Sequence, residues 1–233
     1  MTGFQSKGSL AARVALIHAT ALAVGPIHSA FQRLWPQARC MNLLDDSLSV
    51  DLAEAGCLEP DMVKRFVDLA VYAKGTGCTG ILFTCSAFGP AIEAAGAVVG
   101  LPALKPNQAM FEEALVRSPA VDARLGLIAT FEASIPSMSA ELQALAQARG
   151  MQVSLQTVFV PGAMQDLAQG RSDMHHQKIA QAALQLADCD AVMLAQFSMA
   201  AAQPLVQAGL ACPVLSSPEC AVLALRKAMG FSG

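Results

Sequence analysis

The sequence predicts an α/β fold built as two tandem, doubly wound halves, each a parallel sheet with helices on both faces. Three observations predict it. First, the chain repeats when aligned on itself at an offset of 124 − 13 = 111 residues. Arg13-Val14-Ala15-Leu16-Ile17 matches Arg124-Leu125-Gly126-Leu127-Ile128, Cys78-Thr79-Gly80-Ile81-Leu82-Phe83 falls on Cys189-Asp190-Ala191-Val192-Met193-Leu194, and Leu101-Pro102-Ala103-Leu104 falls on Cys212-Pro213-Val214-Leu215. A fixed offset with no insertion between landmarks marks a duplicated unit. Second, each matched segment is a short continuous apolar run bounded by Gly, Pro or small polar residues, the pattern of a strand buried on both faces. Third, the segments between these runs have helical spacing, and alternating strands and helices imply right-handed crossovers.

Taken in order, the first half opens with the strand ending at His18-Ala19-Thr20, followed by a helix over Pro26 to Ala38 and a strand ending at Asp45-Asp46-Ser47. Helices over Pro60 to Lys74, Pro90 to Val99 and Asn107 to Arg117 follow, several with Pro in the first turn, where its missing N–H costs nothing. In the second half the helices are Ser134 to Arg149, Ser172 to Ala187, Met199 to Ala208 and Pro218 to Met229. The domains divide as residues 1–118 and 119–233. The join at Ser118-Pro119-Ala120 is too short for a flexible linker, so the halves should pack closely and hold the active site in the cleft between them.

Composition narrows the class. The chain has 233 residues, 54% hydrophobic and 14% charged, which excludes disorder and coiled coil. A net charge of -3 leaves no cationic footprint for nucleic acid. The longest uncharged stretch, Ala191 to Pro218, is interrupted by Gln196, Gln203, Pro204, Gln207 and Pro213 and so reads as no membrane span. Lys7, Arg13 and the apolar residues to Ala30 superficially resemble a signal peptide, but His18 breaks the apolar centre and residues 13–31 recur as 124–142. The run is therefore taken as a first strand and helix. Seven cysteines without paired spacings fit a reducing cytoplasm rather than a zinc site or a disulfide scaffold. High apolarity also fits a homo-oligomer contact.

Ligands of open parallel sheets bind beyond the carboxyl ends of the strands. There, Thr84-Cys85-Ser86-Ala87-Phe88-Gly89-Pro90 places a thiol between two hydroxyls at a strand-to-helix turn. Free N–H groups and the helix dipole would favour both a thiolate and an anionic substrate. Thr20, Ser86, Thr130 and Ser198 stand as candidate donors to a carboxylate, with Thr84 and Phe131 beside them; the hydroxyls serve equally as helix caps.

At this point the chain resembles the aspartate/glutamate/hydantoin racemase superfamily, which includes arylmalonate decarboxylase and maleate isomerase. The resemblance rests on two tandem α/β halves, on the Thr84-Cys85-Ser86 turn after Gly80-Ile81-Leu82-Phe83, and on its counterpart 111 residues later. It implies cofactor-independent chemistry on a small carboxylic acid, with a catalytic cysteine in each half on opposite faces of the α-carbon. This sequence departs from that pattern, because the counterpart of Cys85 is Gln196, an amide that hydrogen-bonds but does not exchange a proton near neutrality. In arylmalonate decarboxylase the surviving thiol belongs to the second half instead. His18 stands where glutamate racemases place an aspartate near the first thiol, as a base for it. Ser198 stands where they place a second-half histidine.

Other features carry less. Asp45-Asp46-Ser47 reads as a helix cap rather than an amine site. Cys78 and Cys189 lie at strand entrances and read as structural, Cys40, Cys57, Cys212 and Cys220 as apolar filler, and the Met-containing stretches over 138–164 and 193–199 as core. Adjacent His175-His176 read as solvent-exposed, so no metal site is expected. Lys74-Gly75-Thr76-Gly77 precedes a strand, the wrong order for a phosphate loop. The expectation is an isomerase or decarboxylase using Cys85, with His18 and Gln196 beside it and no cofactor. The alternative is a silent binder of small acids.

Overall fold

The structure is a computed structural model that describes residues 12–118 and 121–231. Lys7 and the join at Pro119-Ala120 lie outside the described residues. The first half runs β1 (Arg13–His18), α1 (Val24–Leu34), β2 (Arg39–Leu44), α2 (Ser47–Ala55), α3 (Pro60–Gly75), β3 (Gly80–Phe83), α4 (Gly89–Val99), β4 (Ala103–Leu104) and α5 (Gln108–Arg117). The second runs β5 (Ala123–Ala129), α6 (Ile135–Ala148), β6 (Val153–Phe159), α7 (Ala163–Ala168), α8 (Ser172–Ala183), β7 (Ala191–Leu194), α9 (Gln203–Gly209), β8 (Val214–Ser216) and α10 (Ser217–Ala228).

Each half is a four-stranded parallel sheet, in the orders β2-β1-β3-β4 and β6-β5-β7-β8. The central strands β3 and β7 are buried throughout, as their continuous apolar sequences require. The edge strands β2 and β6 are half exposed and mix polar with apolar residues, so they carry no comparable run. Val14 pairs with Gly80 and Leu125 with Ala191, which preserves the 111-residue offset. Arg13 pairs with Arg39 but Arg124 with Ser154, so the second strands lie 154 − 39 = 115 apart. The expectation of no insertion is therefore corrected. A longer α6 (14 residues against 11 in α1) adds what a shorter α7 (6 against 9 in α2) later removes.

Helices α2 and α7 lack a strong sequence signal and were not expected. The helix expected over Met199 to Ala208 is divided into a 3-10 turn over Phe197–Ala202 and α9, which starts where Pro204 occupies its first turn. His175, expected in solvent, is fully buried with neither ring nitrogen hydrogen-bonded. Its helix turns it inward against the core, and burial pushes it down to about 4. Cys57 is exposed rather than apolar filler. Among the described residues no helix is long and apolar enough to cross a membrane.

The last helix of each half crosses to the other. Met110, Phe111, Ala114 and Leu115 of α5 lie in one core with Leu125, Leu127, Ala191 and Met193 of the second sheet. Ala221, Val222 and Leu225 of α10 lie with Val14, Leu16, Phe31 and Leu82 of the first. Five large apolar side chains exchanged this way, at about 1.5–3 kcal/mol each, contribute on the order of 10 kcal/mol. The lobes are thus interlocked, and the space where their strand ends meet is a fixed feature of the molecule.

Candidate active site

The thiol is positioned by the end of β3. The Thr84 N–H still pairs with the Ile17 carbonyl at 3.0 Å, holding the chain extended beyond the strand. Cys85 (φ -116, ψ 116) then precedes a 3-10 turn over Ser86–Phe88, and α4 starts at Gly89. Phe88 is fully buried, 4.7 Å between ring centroids from Phe66, and anchors the turn. A Cβ on Gly89 would lie 3.2 Å from Ser137 Oγ, so glycine lets α4 approach α6 here. The second half builds the same corner: Ala195 N–H pairs with Ile128 at 2.9 Å, and Gln196 precedes the turn over Phe197–Ala202.

Between the two corners lies a cavity of about 30 Å³ lined by Thr20, Leu22, Ala23, Ser49, Thr84, Cys85, Ser86, Phe131, Met164, Gln196, Phe197 and Ser198. That volume holds a water or two. A larger groove of about 560 Å³ runs between α2, α4 and α6. It contains none of the expected site residues, and the smaller cavity is the one that collects the thiol, the hydroxyls and both strand exits.

Cys85 is 8% exposed. Burial pushes its thiol up to about 11, opposed by the Ala87 backbone N–H and the Ser49 hydroxyl. The expected thiolate is therefore corrected: dipolar donors do not offset desolvation of the anion without a cation beside it. At neutral pH this keeps the sulfur protonated.

His18 is fully buried behind the cavity rather than on its wall. Its Nδ1 lies 2.8 Å from Thr84 Oγ1 and its Nε2 3.0 Å from Asn42 Oδ1, which also lies 2.9 Å from His28 Nε2. A carbonyl oxygen only accepts, so Nε2 carries the His18 proton and Nδ1 accepts from the Thr84 hydroxyl. Burial lowers the imidazole pKa, opposed by the bond to Asn42 and reinforced by His28. With both nitrogens engaged, His18 makes no bond to Cys85. It engages the hydroxyl of Thr84, a residue that itself lines the cavity.

Across the cavity, Gln196 Oε1 accepts from Thr130 N–H at 2.7 Å and lies 3.2 Å from Thr130 Oγ1, while Nε2 donates to Ser134 Oγ at 2.8 Å. Ser134 in turn donates to the Phe131 carbonyl at 2.7 Å. Thr130 thus holds Gln196 and does not line the cavity. Thr20, Ser86, Phe131 and Ser198 do line it. Asp45 accepts from Arg65 and from both the hydroxyl and the backbone N–H of Ser47 at the start of α2, a turn of the kind expected there, whereas Asp46 makes no capping bond with its side chain.

Five lining residues, Leu22, Ala23, Ser49, Met164 and Phe197, were not among the expected site residues, and two of them lie on helices that the sequence did not announce. Ser49 sits on α2, donating to the Ala19 carbonyl at 2.6 Å, and Met164 sits on α7, in a stretch taken as core. The signal that finds both is the 115-residue spacing of the second strands, which makes them counterparts. Among the described residues no group of three or more His, Cys, Asp or Glu is arranged to hold a metal ion.

Interlocked, duplicated α/β lobes that enclose a strand-end thiol define a two-lobed protein with its site in the interlobe cavity. The chain belongs to the Asp/Glu/hydantoin racemase family, whose profile matches residues 18–225. No curated protein matches its sequence. The fold is similar to that of glutamate racemase isoform RacE1 from Bacillus anthracis, at 15% identity over 94% of this chain and 83% of that chain, TM-score 0.72. It is similar to allantoin racemase from Klebsiella pneumoniae (14% identity, 93% of this chain and 86% of that chain, TM-score 0.65). A glycine-to-cysteine mutant of arylmalonate decarboxylase in its sulfate-associated form is similar too (17% identity, 95% of this chain and 94% of that chain, TM-score 0.66).

Proposed function

We propose that the protein is a cofactor-independent enzyme acting at the carbon alpha to a carboxylate, with Cys85 as its one proton carrier. The observation that carries this reading is the pairing across the cavity of a thiol and an amide tied to Thr130 and Ser134. The substrate carboxylate sits on neutral donors, among them the hydroxyls of Thr20, Ser86 and Ser198. These stabilise the enediolate that forms when the α-carbon loses a proton or a carboxyl group. In the decarboxylating branch the C–C bond breaks, its electron pair enters the enediolate, CO₂ leaves, and the α-carbon takes the Cys85 proton. Water then reprotonates the thiolate. In the exchange branch the thiolate form of Cys85 takes the α-proton and returns one to the same face, because Gln196 has none to give.

A protonated, buried thiol suits the decarboxylating branch better than nucleophilic addition, while the exchange branch draws on its small thiolate fraction. Its inertness also suits a silent binder of small acids, so the test must separate the two. NMR in D₂O with a panel of 2-substituted carboxylic acids reads α-hydrogen exchange, stereochemistry and CO₂ loss together. Exchange with retention, or CO₂ loss, that disappears in Cys85→Ser supports the reading. Activity that survives Cys85→Ser, or exchange with inversion, overturns the single-thiol mechanism, and binding without either reaction identifies the silent binder.

A further inference from the structure

The duplication lets the two walls of the cavity be compared position by position, and they differ in kind. At the 111-residue offset Thr20 is the counterpart of Phe131, Cys85 of Gln196 and Ser86 of Phe197; at the 115-residue offset Ser49 is the counterpart of Met164. In all four pairs the first half supplies a hydroxyl or a thiol, the Ser49 proton being already given to the Ala19 carbonyl. The second supplies an aromatic ring, a thioether, or an amide already engaged by Thr130 and Ser134. There are exceptions on both sides: Ser198, the counterpart of Ala87, puts one hydroxyl on the second wall, and Leu22 and Ala23 put apolar side chains on the first.

Among the described residues no Asp, Glu, Lys or Arg lines the cavity. Asp45, at the exit of β2, is held by Arg65 and Ser47. A carboxylate is met on one side by hydroxyl donors, but an ammonium group finds no anion, and an unpaired charge in a dry site is costly. A second carboxylate reaching the other wall would meet Phe131, Met164 and Phe197.

The geometry points to a substrate with one carboxylate held by the hydroxyls of Thr20 and Ser86, an apolar α-substituent lying on Phe131, Met164 and Phe197, and no α-ammonium group, which selects the exchange branch, since decarboxylation to an enediolate needs a second carboxylate on the α-carbon. This rests on the reading of the site as acting alpha to a carboxylate, and it excludes the α-amino acids from that class.

The test is dissociation constants from ligand-observed NMR titration, on wild type and Cys85→Ser. Two pairs of acids are compared: 2-phenylpropanoate with 2-phenylglycine, where a methyl replaces the ammonium, and 2-methylbutanoate with 2-methylsuccinate, where a methyl replaces a carboxylate. The first member of each pair is expected to bind at least about tenfold more tightly in both proteins, a difference of about 1.4 kcal/mol. Equal or reversed preference in either pair overturns the inference, as does no binding by all four. Binding is read without turnover, so the two readings fail separately. Selective binding with no Cys85-dependent reaction overturns the proposed chemistry alone. Exchange at the α-carbon of 2-phenylglycine that Cys85→Ser abolishes upholds the chemistry and overturns this inference.

Discussion

Alkylation of Cys85 measures directly whether the thiol is held protonated. Its pKa moves from 9.0 to about 11 on burial, so below pH 9 the thiolate fraction falls about 100-fold relative to an unperturbed thiol. The more basic thiolate is also the better nucleophile; with a Brønsted slope of 0.4–0.5, two units return about eightfold. Ionisation wins, and the net rate should be about tenfold lower, with the 8% exposure of Cys85 slowing it further. Native protein treated with limiting iodoacetamide, then digested and followed by peptide mass spectrometry, gives the Cys85 rate, with exposed Cys57 as internal reference. Cys85 should react at least about tenfold more slowly at pH 7.5. Its rate should rise with pH through 9 and flatten only near 11. A rate that plateaus below pH 8, or a Cys85 faster than Cys57, would refute the claim that desolvation outweighs the Ala87 N–H and Ser49 hydroxyl.

Three further outcomes follow from packing and burial. His175 has a folded pKa of about 4 against an unfolded 6.5, so between these values the unfolded chain binds the extra proton and stability falls as pH falls. From pH 7.5 to 5 this removes about 2 kcal/mol, which urea titrations of wild type and His175→Leu should show as a flatter pH dependence in the variant, with the smaller contribution of His18 in the same direction remaining; parallel losses would count against it. Gln196→Ala leaves the Thr130 N–H and the Ser134 hydroxyl without their partner and should cost about 1–3 kcal/mol by the same titration, whereas an unchanged midpoint would mean the amide is not a structural tie. Gly126→Ala places a Cβ 2.8 Å from Leu186 Cδ1 and 3.2 Å from its Cβ, and should destabilise by about 1–3 kcal/mol although its counterpart is Ala15; a neutral result would show that Leu186 can move aside.

The duplication, the central strands and the corner that carries Cys85 were all legible in the sequence. Strands buried on both faces must be continuously apolar, and a repeat preserves spacing, so β1, β3, β5 and β7 announce themselves. The edge strands β2 and β6 bury little and need no such run, so the shift from 111 to 115 residues passed unseen, and Ser49 and Met164 with it. The pairing of Cys85 with Gln196 also came from spacing alone, since β3 and β7 keep the offset.

What the chain order could not tell was decided by partners distant along it. Thr84, 66 residues from His18, and Asn42, 24 residues away, engage both imidazole nitrogens and turn a candidate base into an orienting group. Helices α5 and α10 cross between lobes because each sheet needs its open face covered, which no local pattern states. The protonation of Cys85 depends on how completely two lobes exclude water from one sulfur. Local sequence specifies strands, turns and their spacing; desolvation and hydrogen-bond satisfaction are set by everything that surrounds an atom, and only the folded chain brings that together.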